Sequence, residues 1–179
     1  LESIFNGFLK RNNIIFHFNY FQDKKYFSDE LTKLDSYFKL DIKPNYNLNS
    51  IFIHVRRGDY YTKKFVSRYG NICTVKYFEK AVSKMKNEYE LNDSKIIIIS
   101  DDIEWCKENL DFKNIIFHKS KSLIDDWMIL KKSKYLIISN STFSLTAAWA
   151  GNVKHVCYPN MWDNFDNNKD LFKKEWIKI

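Results

Sequence analysis

Glycine and proline are scarce in this chain, with four glycines and two prolines in 179 residues. Neither a Gly-x-Gly-x-x-Gly fingerprint nor a Walker-type loop is present, so a dinucleotide signature and a P-loop are both unsupported. Cysteine is sparse too. Cys73, Cys106 and Cys157 are widely spaced and form no Cys-x-x-Cys pair, which favours reduced core thiols over disulfides or a zinc site. No apolar run approaches the roughly 18 residues of a membrane span. No basic segment followed by an apolar one opens the chain, so no signal peptide is visible. Gly-x-Ser-x-Gly, His-Glu-x-x-His and a Cys/His nucleophile arrangement are also lacking. The first residue is Leu instead of Met, and the chain is read as a fragment.

What remains is rich in core-forming residues. A hydrophobic fraction of 45% with 17% aromatics is ample for a packed interior and argues against disorder. The length suits one domain, or one domain and a piece of another. A net charge of +7 suits an anionic partner, whether sugar nucleotide, nucleic acid or lipid headgroup. The lysines are scattered with no dense run, against a polybasic tail.

Residues 1–48 differ from the rest. Asn13–Phe18 reads as a strand, Tyr20, Phe21, Tyr26 and Phe27 as an aromatic cluster, and Ser28 as the cap of a helix carrying Leu31, Leu34 and Phe38. Lys43–Asn47 then breaks the pattern. From residue 49 strands alternate with helices. Strands are expected at Ile51–Val55, Ile96–Ile99, Ile115–Phe117, Tyr135–Ser139 and Val153–Tyr158. Helices are expected from Thr74 with Phe78, Ala81, Val82, Met85 and Tyr89 inward, to Leu110 after a cap at Asp101, over Leu123–Lys132 with Ile124, Trp127, Met128 and Lys131 inward, over Phe143–Ala150 with Gly151 as its stop, and over Asp166–Lys174. This alternation implies a Rossmann-like α/β fold with a mainly parallel sheet.

Polar groups collect at the strand ends. Ile51–Tyr60, Ile-Phe-Ile-His-Val-Arg-Arg-Gly-Asp-Tyr, is a strand that delivers two guanidinium groups to its C-terminal edge, with Gly58 allowing the turn. That edge is where ligands bind in such sheets. Arg56 and Arg57 read as anion receptors, phosphate first among anions; the alternative is a surface ion pair of Arg57 with Asp59. Ser100-Asp101-Asp102, His118-Lys119-Ser120 and Ser139-Asn140-Ser141-Thr142 end the next strands. Ser141 and Thr142 open a helix, where free amides favour phosphate, with ordinary N-capping as the alternative. Adjacent acids point in different directions, so Asp101 reads as a cap with one ligand contact and not as half of a metal pair. His54 is open between a satisfied core histidine and a nucleoside contact.

These residues resemble a known family. His54-Val55-Arg56-Arg57-Gly58-Asp59-Tyr60 is similar to the His-x-Arg-Arg-Gly-Asp-Tyr signature of α-1,2-fucosyltransferases. Ser100-Asp101-Asp102 with Trp105, and Asn140-Ser141-Thr142-Phe143-Ser144 with Ala147-Ala148-Trp149, resemble two further segments of that family in the same order. Tyr20-Phe21-Gln22 through Tyr26-Phe27 resembles the stretch before its donor domain. The resemblance implies a GT-B-type enzyme that moves L-fucose from GDP-fucose to a galactose hydroxyl with inversion, with no metal and no further cofactor. It implies Arg56 on the β-phosphate, His54 near the nucleoside, Asp126 on the guanine edge, and Ser141 and Thr142 at the phosphates. Arg57 is expected to pack on Asp59 and order the loop, with Asp59 a candidate general base.

There are departures from the family. Leu145-Thr146 stands where it carries a tryptophan pair, and its Gly-rich N-terminal segment is missing. The expected organisation is therefore the end of an acceptor-side domain and connector over 1–48, and a GDP-fucose-binding domain over 49–179 that binds GDP without catalysing alone. The expected partners are GDP-fucose and a galactose-containing glycan, with no nucleic acid. The expected location is the cytoplasm, extending to peripheral contact with the inner face of the membrane. Rival readings are a fucosyltransferase of other linkage, a non-catalytic nucleotide- or nucleic-acid-binding module, and an inactive relic.

Overall fold

The computed structural model describes residues 46–151, 153–165 and 171–179. The expectations for Asn13–Phe38, and most of the proposed 1–48 unit, lie outside the described residues.

Six strands form one sheet: β1 (Ile51–Val55), β2 (Ile96–Ser100), β3 (Ile115–Phe117), β4 (Tyr135–Ile137), β5 (His155–Tyr158) and β6 (Ile177–Lys178). Their order is β3-β2-β1-β4-β5-β6, and each neighbouring pair is parallel. Between them lie α1 (Val66–Tyr69), α2 (Val75–Tyr89), α3 (Ile103–Asn109), α4 (Leu123–Lys132) and α5 (Thr142–Ala150), with a 3-10 turn at Gly58–Tyr61.

The isoleucine-rich strands follow from where they sit. A central parallel strand is covered by helices on both faces, so it has no polar side. All five residues of β1 are buried. Ile51, Ile53 and Val55 join Ile96, Ile98, Phe78, Ala81 and Met85 on one face. Phe52 joins Ile97, Ile99, Leu136, Leu130 and Ala148 on the other. Each such side chain contributes about 1.5–3 kcal/mol by leaving water. Register follows the same alternation, with Ile51 opposite Ile96 and Tyr135.

Helix starts are set by local hydrogen bonds. Thr74 caps α2 by accepting from Tyr77 N, and Ser122 caps α4 by accepting from Asp125 N. The α3 cap is Asp102, which accepts from Trp105 N at 3.2 Å, and not Asp101. In α4 the expected inward residue Ile124 is exposed and so is Leu123, while Met128, Ile129, Leu130 and the stem of Lys131 are buried. The first turn of α4 borders the open end of the sheet, so apolarity alone misplaced its face.

Gly151 ends α5 without a left-handed conformation, at φ −82°. It is needed because a Cβ there would collide with the carbonyl oxygen of Lys131, where α5 crosses α4. Residues 166–170 of the expected last helix lie outside the described residues. The described tail ends instead in β6, a two-residue edge strand too short to carry a period. Trp176 anchors it by donating from Nε1 to Val153 O at 3.0 Å.

Candidate functional site

A 3-2-1-4-5-6 strand order places the topological switch point between β1 and β4, where crossovers leave to opposite sides and a crevice opens at the carboxyl ends. A cavity of about 600 Å³ lies there. Ser139, fully buried, holds the two strand ends together. Its Oγ donates to His54 O at 2.7 Å and accepts from Arg56 N at 3.1 Å. Asn140, next in line, has its side-chain amide donating to the carbonyls of Tyr69 and Trp162, while its backbone carbonyl accepts from Tyr60 Oη. Residues named as one polar segment in the sequence thus divide into structural Ser139 and Asn140 and cavity-facing Ser141 and Thr142.

The two arginines leave β1 for different environments. Arg56 lines the cavity, and its guanidinium is held at both ends, Nη1 2.8 Å from Asp101 Oδ2 and Nη2 2.7 Å from Asp59 Oδ1. Arg57 turns away. Its guanidinium lies 3.9 Å from the ring centres of both Tyr61 and Trp105, and Nε donates to Asp102 Oδ2 at 3.1 Å. The expected Arg57–Asp59 pair is therefore corrected: Asp59 belongs to Arg56, and Arg57 orders the loop through Asp102 and two aromatic faces. Asp101 also accepts from Arg57 N at 2.9 Å, so it binds the backbone of one arginine and the side chain of the other. Gly58 stays small for that reason. A Cβ there would stand 2.5 Å from Asp101 Oδ2.

His54 faces the same cavity although it is only 5% exposed. Its ring leans on Phe143 with centres 5.3 Å apart, and Nδ1 has no hydrogen-bond partner among the described residues. Burial, and secondarily the charge of Arg56, push its pKa down to about 3. A buried neutral imidazole with one unsatisfied nitrogen is costly unless something completes it.

Asp126, in the first turn of α4, is 5% exposed and also lines the cavity. Its Oδ1 lies 3.0 Å from His118 Nε2, and His118 Nδ1 lies 2.9 Å from Tyr46 Oη. Sequence reasoning passed over His118 and Tyr46 as site residues. The available signal was a histidine immediately after a strand, on the rim where the other polar groups gather.

The N-terminus of α5 completes the wall. Ser141, its N-cap, is 5% exposed and makes no side-chain capping bond, while exposed Thr142 follows it on the cavity lining. Backbone amides of the first turn therefore point toward the cavity with the positive end of the helix dipole. Tyr60, Phe65, Tyr69 and Trp162 form an aromatic side; Tyr60 stacks on Tyr69 at 4.9 Å, and burial is the first cause that pushes its hydroxyl up to about 12. The three cysteines are free and buried. Among the described residues no group of three His, Cys, Asp or Glu side chains is placed to hold a metal ion.

One guanidinium, one helix N-terminus, an incomplete imidazole and a carboxylate thus surround one crevice. Such a set can neutralise phosphate oxygens and hydrogen-bond a heterocycle's polar edge. The family model described as Glycosyl transferase family 11 matches residues 8–179. An α-1,2-colitosyltransferase of Escherichia coli is 30% identical over 182 residues, covering 89% of this chain and 61% of that protein. The O-antigen biosynthesis glycosyltransferase WbnK, also of Escherichia coli, is 29% identical over 139 residues, covering 74% and 45%. The chain spans less than two thirds of either relative. A crystal structure of POFUT1 in complex with GDP is similar at a TM-score of 0.44 and 13% identity, covering 74% of this chain and 47% of that one.

Proposed function

The chain belongs to glycosyl transferase family 11, the α-1,2-fucosyltransferase family, and from that premise we propose that it forms the donor-binding part of an inverting α-1,2-fucosyltransferase of GT-B type. In this reading residues 49–179 bind GDP-fucose and residues 1–48 are the end of the acceptor-side domain. The observation that carries it is the meeting of Arg56, His54, Asp126 and the α5 N-terminus on one crevice.

The chemistry follows from charge. A galactose hydroxyl attacks the anomeric carbon as the bond from that carbon to the β-phosphate oxygen breaks, and GDP leaves carrying the electron pair. Negative charge grows on the diphosphate, so a fixed guanidinium is worth more in the transition state than in the ground state. Arg56 is fixed by Asp59 and Asp101 before the ligand arrives, which spares reorganisation. The α5 amides with Ser141 and Thr142 receive the other phosphate oxygens. His54 Nδ1 finds its missing partner on the nucleoside, and Asp126 accepts from the N–H groups of guanine. Asp59 is the candidate base for the acceptor's proton; bonded to Arg56 through Oδ1, it contributes first by holding the guanidinium. No metal has a step here.

The named activity of one relative favours a second reading, in which the donor sugar is colitose. For a bacterial enzyme building surface polysaccharide, the proposed place of action is the cytoplasm, extending to peripheral contact with the inner membrane face. No described helix is long and apolar enough to cross a membrane.

Calorimetric titration of the 179-residue chain tests the binding half of the proposal. GDP and GDP-fucose should bind, and UDP should bind far more weakly; failure of both guanine ligands removes the donor-domain reading. Transfer from GDP-fucose and from GDP-colitose to galactose-ended glycans, with a form carrying a complete acceptor side, separates the two sugars.

A further inference from the structure

Behind the cavity wall, reaching it only at Asp126, runs a polar chain that phosphate binding does not use. It runs from Tyr46, five residues ahead of β1, through His118 after β3, to Asp126 on α4. Three separate segments meet, at 2.9 and 3.0 Å. The side chains of His118 and Asp126 are only 10% and 7% exposed. Burying such a set costs desolvation that an apolar trio of the same volume would avoid, so stability alone does not account for it.

Its direction can be worked out. A carboxylate only accepts, so His118 Nε2 carries the hydrogen that goes to Asp126 Oδ1. In the neutral imidazole Nδ1 is then the acceptor, and Tyr46 donates to it. Burial, and then the charge of Asp126, raise the pKa of Tyr46, which keeps that donor in place. His118 is itself fixed, because its backbone N–H donates to Ile98 O at 2.8 Å and prolongs the β3–β2 ladder. Tyr46 meets its ring edge-on at 5.6 Å and leans on Phe52 at 6.3 Å.

Asp126 is the residue this arrangement serves. Its Oδ2 has no hydrogen-bond partner among the described residues. The terminal torsion of an aspartate is broad, so a carboxylate without a second tie presents its oxygens in no fixed plane. The His118 bond removes that freedom. Guanine offers two neighbouring donors, the ring N1–H and the exocyclic amine, and pairing with both requires the carboxylate to lie in the plane of the base.

We propose that Tyr46 and His118 are positioning residues which set the plane of Asp126, and that this plane selects guanine over bases lacking the exocyclic amine. The inference rests on the reading of the crevice as a GDP site. It extends the site to a residue of the segment preceding β1, so base selectivity depends on how that connector is seated.

The test is the ratio of affinities for GDP and IDP, whose hypoxanthine keeps N1–H and lacks the amine, measured by calorimetry on the 179-residue chain. The unaltered chain should prefer GDP by about tenfold or more, as sites built to hydrogen-bond a group reject analogues without it. His118→Ala should reduce the ratio to near one with a smaller loss of IDP affinity. His118→Gln keeps an N–H donor and should restore part of the ratio, and Tyr46→Phe should lower it a few-fold. A purely structural role would weaken GDP and IDP alike, and an unchanged ratio in His118→Ala and Tyr46→Phe overturns the proposal. Asp126→Asn separates the two levels. If it abolishes the preference while the His118 and Tyr46 variants keep it, positioning fails and base reading stands. If it too keeps the preference, base reading by Asp126 fails with it. Should His118→Ala not fold, the Gln and Phe variants decide alone.

Discussion

Arg56 and Asp101 meet through Nη1 and Oδ2 at 2.8 Å, although 45 positions separate them in the chain. The same carboxylate accepts from the amide of Arg57. The end of β2 thereby aims the guanidinium that the end of β1 supplies, and the loop between them must stay close enough to allow it.

Arg56→Ala should lower transfer in a form with a complete acceptor side by a factor on the order of 10²–10³ in kcat. Arg56→Lys should recover only a minor part, because an ammonium keeps the charge and loses the planar fork. Steady-state kinetics with GDP-fucose checks both; near-normal turnover in the alanine variant would sink the phosphate assignment.

Gly58→Ala places a methyl group against Asp101 Oδ2. That carboxylate can swing aside, so the fold should survive with little change in melting temperature. Its swing releases Arg56, and GDP affinity should drop several-fold. Calorimetry beside thermal melting tells the two effects apart.

Arg57→Ala should show the opposite balance. Losing two aromatic contacts and a charge-assisted bond to Asp102 should cost about 1–3 kcal/mol of stability. Chemical denaturation should reveal that loss, while GDP affinity of the folded fraction falls less than in Arg56→Ala.

His54 makes stability depend on pH. Its folded pKa is about 3 against an ordinary value near 6.5, so below 6.5 the unfolded chain binds a proton that the folded chain refuses. Stability is full above about pH 6.5 and declines as pH falls toward 3, with a limiting slope of about 1.4 kcal/mol per pH unit. His155, also shifted down by burial and neighbouring lysines, adds a slope of the same sign. Denaturation curves of His54→Gln and the unaltered chain across this window should therefore differ by one proton's slope.

Gly151→Ala offers no such escape, since the collision is with backbone oxygen of Lys131. α4 and α5 must separate, and a loss of about 2–4 kcal/mol is expected. A melting temperature within a degree of the original would contradict the close approach.

The amino-acid sequence by itself determined the layers and the rim on which the polar groups gather. Runs such as Ile96–Ile99 can only be satisfied by burial on both faces, helical periods fill the gaps, and parallel strands leave their polar ends on one rim. That much is local, because period and cap chemistry act over a few residues. Three of the five expected strands kept both ends to within a residue, and β6 was invisible because two residues carry no period.

The tertiary structure decided which side chain does what. Arg56 and Arg57 are alike in residue type and only the family resemblance told them apart; strand alternation sends one into the crevice and the other between Tyr61 and Trp105. The cap expected at Asp101 falls to Asp102, while Asp101 ties the Arg57 amide and the Arg56 guanidinium. His118 and Tyr46 gain a role only because chain positions 72 apart fold to within a hydrogen bond. Periodicity reports which face a residue occupies, whereas a partner is chosen by distances that only packing sets.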